Sequence, residues 1–154
     1  MRNLSETEQA LRERRRAGFD AFFQESRPVL VDFMKRLGFE EPHAVLLDAR
    51  KFLGPLDAWM RAQVVGTDQR TWILTRLGYF IGELLNQELA GYWFLDEDPE
   101  SPYFLHYVVG RFTNLPNPKA RTDPFAIADR YLGKTQNRSL SSLIDNTEKE
   151  LRQA

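Results

Sequence analysis

Cysteine is absent from this 154-residue sequence, and histidine occurs only twice, as His43 and His106. The lack of cysteine excludes disulfide frameworks, thiolate nucleophiles and cysteine-bound metals. The sequence also lacks the uninterrupted apolar run of about 18 residues that a membrane-spanning helix requires. Its 21 basic and 22 acidic residues nearly cancel, so it has no clustered basic excess for nucleic-acid binding. We therefore expect a protein that binds neither membranes nor nucleic acids, and that uses no metal or other cofactor.

The remaining composition is that of a globular protein, with 42% hydrophobic residues. A chain of this length buries about 70% of the surface that its unfolded form exposes, which is enough for one independent core. We therefore predict a single domain over residues 1–154. The first residues lack the apolar run of a secretion signal, and the absence of cysteine suits a reducing compartment, so a cytoplasmic location is expected.

Helical patterns dominate the first ninety residues. Ser5 has the spacing of a capping box and predicts a first helix over residues 6–24. Pro28 interrupts the pattern, because proline cannot donate a hydrogen bond to the preceding turn. Ser26 is therefore predicted to cap a second helix, which Gly38 would end in the left-handed conformation.

A third helical region is predicted to begin at Pro42, and the Gly-Pro pair at 54–55 would end or kink it. The following helix, over about residues 67–90, is apolar around so much of its circumference that it is expected to be central. Gly78 and Gly82 lie one turn apart within it. Because glycine weakens a helix, both predict the close approach of a neighbouring backbone or a bulky aromatic ring.

The pattern changes to aromatic and β-branched residues after position 91. Residues 92–95 and 103–109 are predicted strands, joined by a polar turn. Residues 124–132 fit either a short helix or a third strand, and a closing helix is predicted over 139–152. The predicted fold class is α+β, with an N-terminal helical layer packed on a small antiparallel sheet and a C-terminal helix.

Four segments, at 77–85, 91–93, 96–98 and 123–125, follow one another in a recognisable order. In this order they resemble an uncharacterised bacterial domain family, in which an LG-xxx-GE helix leads into a G-x-W strand, and a P-F segment precedes a C-terminal helix. The resemblance covers roughly residues 44–151, so residues 1–43 would be an N-terminal helical extension to a family-like core. It implies an α+β fold and a bacterial origin, but no activity or ligand.

The polar turn is the first candidate site. Asp96, Asp98 and Glu100 alternate along it in the manner of calcium-binding oxygens. The glycine and glutamate that a calcium loop needs at its sixth and twelfth positions are both missing, so no metal is assigned. Tyr92 and Phe94 would point to the same side of the preceding strand. The acidic residues and this aromatic pair together predict a surface that binds another protein.

The sequence contains no recognised catalytic motif, and no catalytic residue is assigned. The leading hypothesis is a non-enzymatic bacterial protein-binding domain, either an adaptor or an immunity-type neutraliser of a toxin or effector. The alternative is a small-ligand-binding protein or enzyme that uses Glu83 and His106 in a pocket beneath the sheet. The chain would be a monomer, or a homodimer whose interface is the aromatic face.

Overall fold

An α+β fold is observed in the computed structural model, which describes residues 3–134 and 138–154. The N-terminal helices precede a three-stranded antiparallel sheet of order β1-β2-β3, and a C-terminal helix closes the chain. The predicted fold class is therefore confirmed. The helices are α1 (Glu6–Arg36), a 3-10 helix (Pro42–Leu46), α2 (Arg50–Arg61), α3 (Thr67–Leu89), α4 (Pro124–Leu132) and α5 (Leu140–Gln153). The strands are β1 (Tyr92–Leu95), β2 (Tyr107–Gly110) and β3 (Arg121–Thr122).

The predicted break in α1 is wrong, because the helix continues through Pro28 without interruption. Ser26 does not cap a new helix; its hydroxyl donates to the Phe23 carbonyl at 2.8 Å inside the same helix. Pro28 removes one helical hydrogen bond on the exposed side. On the other side Phe33 and Met34 are fully buried, and this packing holds both halves of α1 in one direction.

Both ends of α1 follow the prediction. The Ser5 hydroxyl accepts a hydrogen bond from the Glu8 amide, and the Glu8 carboxylate accepts one from the Ser5 amide. Gly38 follows the helix with a φ of +94°, the left-handed conformation expected of the stop. The next region differs from the prediction, since the turn at Pro42 is a 3-10 helix and residues 54–55 lie inside α2.

The centre of the domain is α3, which has buried residues along most of its length. A Cβ atom built on Gly78 would lie 2.2 Å from the Phe125 ring, and one on Gly82 would lie 2.1 Å from the Trp93 ring. Both glycines therefore admit a bulky aromatic side chain against the helix, as predicted. No helix within residues 3–134 and 138–154 has the length and apolarity needed to cross a bilayer.

The sheet is shorter than predicted. β2 begins at Tyr107, because residues 103–106 form turns in which Leu105 adopts a φ of +67°. Residues 124–132 form a helix, α4, capped by the Asp123 side chain, and the third strand is the short β3 just before it. The predicted closing helix is present as α5.

Candidate binding site between α1, α3 and β1

The acidic turn after β1 is folded around Arg121. The Asp96 carboxylate is buried and accepts hydrogen bonds from Arg121 Nε, at 2.8 Å, and from the Ser101 hydroxyl. Asp98 accepts from Arg121 Nη2 at 3.0 Å and from the Glu100 amide at 3.0 Å. The amide of Glu100, together with Arg121, lowers the pKa of Asp98. Asp96 therefore holds the turn together and is not free for a partner, in contrast to the predicted surface; Glu100 is exposed.

The two aromatic residues predicted on the outer face of β1 have different surroundings. Tyr92 is 51% exposed, whereas Trp93 between them is buried, so the predicted alternation along the strand is present. The Arg111 guanidinium lies 4.1 Å from the centre of the Phe94 ring and 5.5 Å from that of Tyr92. Phe94 is thus partly covered by a cation from its own chain, and Tyr92 is the more accessible of the pair.

Glu83 and His106 line two different cavities. His106 pairs with Asp123, its Nδ1 lying 2.8 Å from Asp123 Oδ2. The alternative hypothesis requires Glu83 and His106 to converge on one pocket, and this geometry does not provide the convergence.

The cavity that contains Glu83 is built by two helices with matching residue spacing. Positions i, i+3 and i+4 share one face of a helix. α1 contributes Phe23, Ser26 and Arg27 at that spacing, and α3 contributes Glu83, Asn86 and Gln87. The cavity has a volume of about 220 Å³. We call it the Glu83 cavity, and it is lined by Phe23, Ser26, Arg27, Leu46, Glu83, Asn86, Gln87, Gly91, Tyr92 and Trp93.

The hydrogen-bond acceptors on the floor of the Glu83 cavity receive few hydrogen bonds from the protein. Glu83 is 7% exposed, and its Oε1 accepts from Gln87 Nε2 at 3.2 Å. Its Oε2 lies 3.8 Å from Arg27 Nε, which is beyond hydrogen-bond distance, and the Arg27 side chain is largely exposed. The buried Asn86 Oδ1 has no hydrogen-bond donor among the described residues. Buried acceptors in this condition favour an incoming donor, because unpaired burial is costly.

Gln87 fixes the position of this floor. Its Oε1 accepts from the Ala49 amide at 2.8 Å, and its Nε2 donates to the Val45 carbonyl at 2.8 Å as well as to Glu83. The side chain therefore ties α3 to the segment between the 3-10 helix and α2. Glu83 receives its hydrogen bond from a group that is itself held at two other points, so the carboxylate is preorganised.

The rim of the Glu83 cavity is aromatic. Phe23 is 40% exposed and Tyr92 is 51% exposed, while Trp93 forms a buried wall. Among the residues that line the cavity, Glu83 and Tyr92 are predicted site residues, whereas Phe23, Arg27 and Asn86 are not. Their helical spacing is visible in the sequence, although the predicted end of the first helix at residue 24 separated Phe23 from Arg27.

Comparison with protein-family models, curated proteins and solved structures finds no match to this chain. The resemblance to a bacterial domain family therefore stays a prediction. Within the described parts of the chain, no cluster of three or more His, Asp and Glu side chains could hold a metal ion. The proposals below depend on the geometry of the cavities.

Proposed function

We propose that this protein is a protein-binding domain that captures an arginine side chain of its partner in the Glu83 cavity. The observation that carries the proposal is the buried Glu83 carboxylate, which has one hydrogen bond and a loose contact with Arg27. A guanidinium offers five N–H donors in a planar arrangement. It could donate to both oxygens of the Glu83 carboxylate. The adaptor or neutraliser role expected from the sequence would require a surface of this kind.

The size of the cavity favours a side chain over a larger free ligand. Sites for drug-sized molecules typically enclose about 300–1,000 Å³. The Glu83 cavity, at about 220 Å³, is smaller and accommodates a single projecting group. Arginine is also among the residues that contribute most to protein interfaces when they fill a pocket.

The rim supports a partner that extends beyond the cavity. Phe23 and Tyr92 expose aromatic surface next to the opening. Aromatic residues are enriched at the cores of protein interfaces, and an arginine stem or a neighbouring apolar side chain would cover them. A free cation would leave both rings in water, so we favour a partner protein.

Arg27 is the resident cation that the incoming arginine would displace. Its Nε lies 3.8 Å from Glu83 Oε2 and its side chain is 59% exposed. The contact is too long for a hydrogen bond, so little is lost when another guanidinium takes the place of Arg27 beside the carboxylate. The R27A variant should bind the arginine more tightly, since it removes both a competitor and a like charge. A site for anions would instead lose affinity in R27A.

The test uses the blocked tripeptide Ala-Arg-Ala, with citrulline in place of arginine as the neutral control. The indole N–H signal of Trp93 reports binding in a nitrogen-15 NMR titration, because of the three tryptophans it alone lines this cavity. We expect the arginine peptide to bind at least about tenfold more tightly than the citrulline peptide, and E83Q to remove the difference. E100Q is the matched control, since Glu100 is an exposed glutamate that does not line the cavity.

Further variants separate a partner protein from a free cation. F23S and Y92S should weaken an arginine peptide flanked by leucines but leave the affinity for free arginine unchanged. Equal losses for both probes would mean that the site takes a small cation and not a partner protein. Equal binding of the arginine and citrulline peptides, or equal affinity in E83Q and E100Q, would overturn the assignment of the cavity.

A further inference from the structure

A second cavity, independent of the proposed function, lies where α1, α3, β2 and the start of α4 meet. Its volume is about 380 Å³, which is within the range of small-molecule sites. The chain contributes an imidazole, a guanidinium and three aromatic rings to its walls. We call it the histidine cleft, and it is lined by Arg15, Phe22, Thr75, His106, Tyr107, Asp123 and Phe125.

His106 is held in a fixed orientation within the cleft. Its Nδ1 lies 2.8 Å from Asp123 Oδ2. A carboxylate accepts hydrogen bonds, so Nδ1 carries a proton, and Nε2 donates to a second carboxylate in the imidazolium form, in which both ring nitrogens carry protons. The His106 side chain is 50% exposed, so the ring is open to solvent.

Asp123 is fully engaged by its own chain. Its Oδ1 accepts from the amides of Phe125 at 2.8 Å and Ala126 at 3.4 Å, at the beginning of α4. Its Oδ2 is taken by His106. The buried carboxylate is therefore compensated by the helix terminus and the imidazole, and it presents little unpaired negative charge to the cleft.

Arg15 is the uncompensated charge. Its guanidinium lies 5.7 Å from the centre of the Tyr107 ring, and within the described residues it has no carboxylate at ion-pair distance. The Arg15 carbonyl accepts the Tyr107 hydroxyl at 2.7 Å, which fixes α1 to β2 next to the guanidinium. The Tyr107 hydroxyl is thus occupied, and Arg15 remains the free polar group of this wall.

We infer that the histidine cleft binds a small organic acid, whose carboxylate contacts Arg15 and His106 and whose apolar or aromatic body packs on Phe22, Tyr107 and Phe125. A guanidinium and an imidazolium both donate to a carboxylate, and such charge-assisted hydrogen bonds are short and strong. The three rings supply the apolar contact that dominates small-molecule sites. Phe22 and Phe125 have ring centres 6.0 Å apart, so one face of an aryl group would meet both.

The test uses benzoate as the probe and benzamide as its neutral control. The ring Cε1–H signals of the two histidines are followed by carbon–proton NMR at about pH 6, where a substantial fraction of histidine is protonated. We expect a saturable shift of the His106 signal with benzoate, a response at least tenfold weaker with benzamide, and no shift of His43, which lies outside the cleft.

Two arginine variants distinguish the cleft from a general effect of charge. R15Q should lower benzoate affinity by about tenfold or more, while R14Q, one position away on the same helix, should bind as the wild type does. Equal affinities of R15Q and R14Q would overturn the proposal, as would equal responses to benzoate and benzamide. E83Q should not change benzoate binding, so failure at the Glu83 cavity and failure at the histidine cleft are separable.

Discussion

Substitution of Gly82 by alanine tests whether Trp93 truly requires this glycine. An alanine Cβ would lie 2.1 Å from Cζ2 and 2.7 Å from Cε2 of the Trp93 ring. Carbon atoms in favourable contact are about 3.5–4.0 Å apart. The ring or the helix must therefore move by about 1 Å or more. Phe22, at 5.0 Å, and Phe125, at 5.6 Å between ring centres, restrict the movement of Trp93 on their sides.

The net effect follows from two opposing contributions to the free energy of unfolding. Overpacking in a well-packed core costs about 1–3 kcal/mol, occasionally more. Alanine gains up to about 1 kcal/mol over glycine inside a helix. Because the Cβ atom would overlap a ring that is already packed on two other aromatic rings, we expect G82A to be destabilised by about 2 kcal/mol, or about 4–8 °C in Tm for a protein of this size.

Gly54 provides a matched control in the interior of α2. A Cβ atom built there meets nothing within 4 Å, and its φ is not in the left-handed region. G54A should therefore be stabilised by about 0.5–1 kcal/mol through helix propensity and the unfolded state. Urea unfolding followed by circular dichroism measures both variants. A G82A protein as stable as the wild type would refute the packing argument, whereas partial rescue by W93L would support it.

Three further variants can be measured by thermal or urea unfolding. Burial and the neighbouring Glu88 raise the pKa of Glu148 to about 7. The wild type should therefore lose on the order of 1 kcal/mol of stability as the pH rises from about 4.5 to 7, and E148Q should lack this loss. If E148Q kept the pH profile of the wild type, the assignment of the loss to Glu148 would be wrong. D96N should be destabilised by about 2 kcal/mol, because it breaks the buried ion pair between Asp96 and Arg121. The stability of the exposed control E100Q should stay within about 0.5 kcal/mol of the wild type. Equal effects of the two substitutions would mean that the turn does not depend on the ion pair. P28A restores an amide donor inside α1 and should stabilise the protein by about 1 kcal/mol; destabilisation would show that the proline is required there.

Local sequence signals predicted the elements whose cause is local. The capping box at Ser5, the left-handed stop at Gly38 and the closing helix depend on neighbouring residues, and each is present. The two glycines of α3 also predicted a close aromatic neighbour, although the sequence did not identify the neighbours as Trp93 and Phe125. Contacts between distant segments decide such partners, and a periodic pattern carries no information about them.

The acidic turn shows how a distant contact changes the meaning of a residue. In the sequence Asp96 is one of three alternating acids and is expected on the surface. In the structure Arg121, which is 25 positions later, donates to it at 2.8 Å and makes its burial favourable. Reversing the charges of Asp96, Asp98 and Glu100 together would therefore unfold the turn. Of these three residues, only the exposed Glu100 could be substituted to test binding without disrupting the turn.

The candidate site was missed in part because of one error in secondary structure. The sequence predicts a break at Pro28, because proline loses a helical hydrogen bond and its ring clashes with the preceding turn. The continued burial of Phe33 and Met34 outweighs that cost and keeps α1 in one piece. Only in an unbroken helix do Phe23 and Arg27 share a face, and only then does Arg27 reach Glu83. Glu83 consequently appeared in the sequence as a glutamate without a partner, whereas the fold gives it a cavity, a loose cation and an aromatic rim.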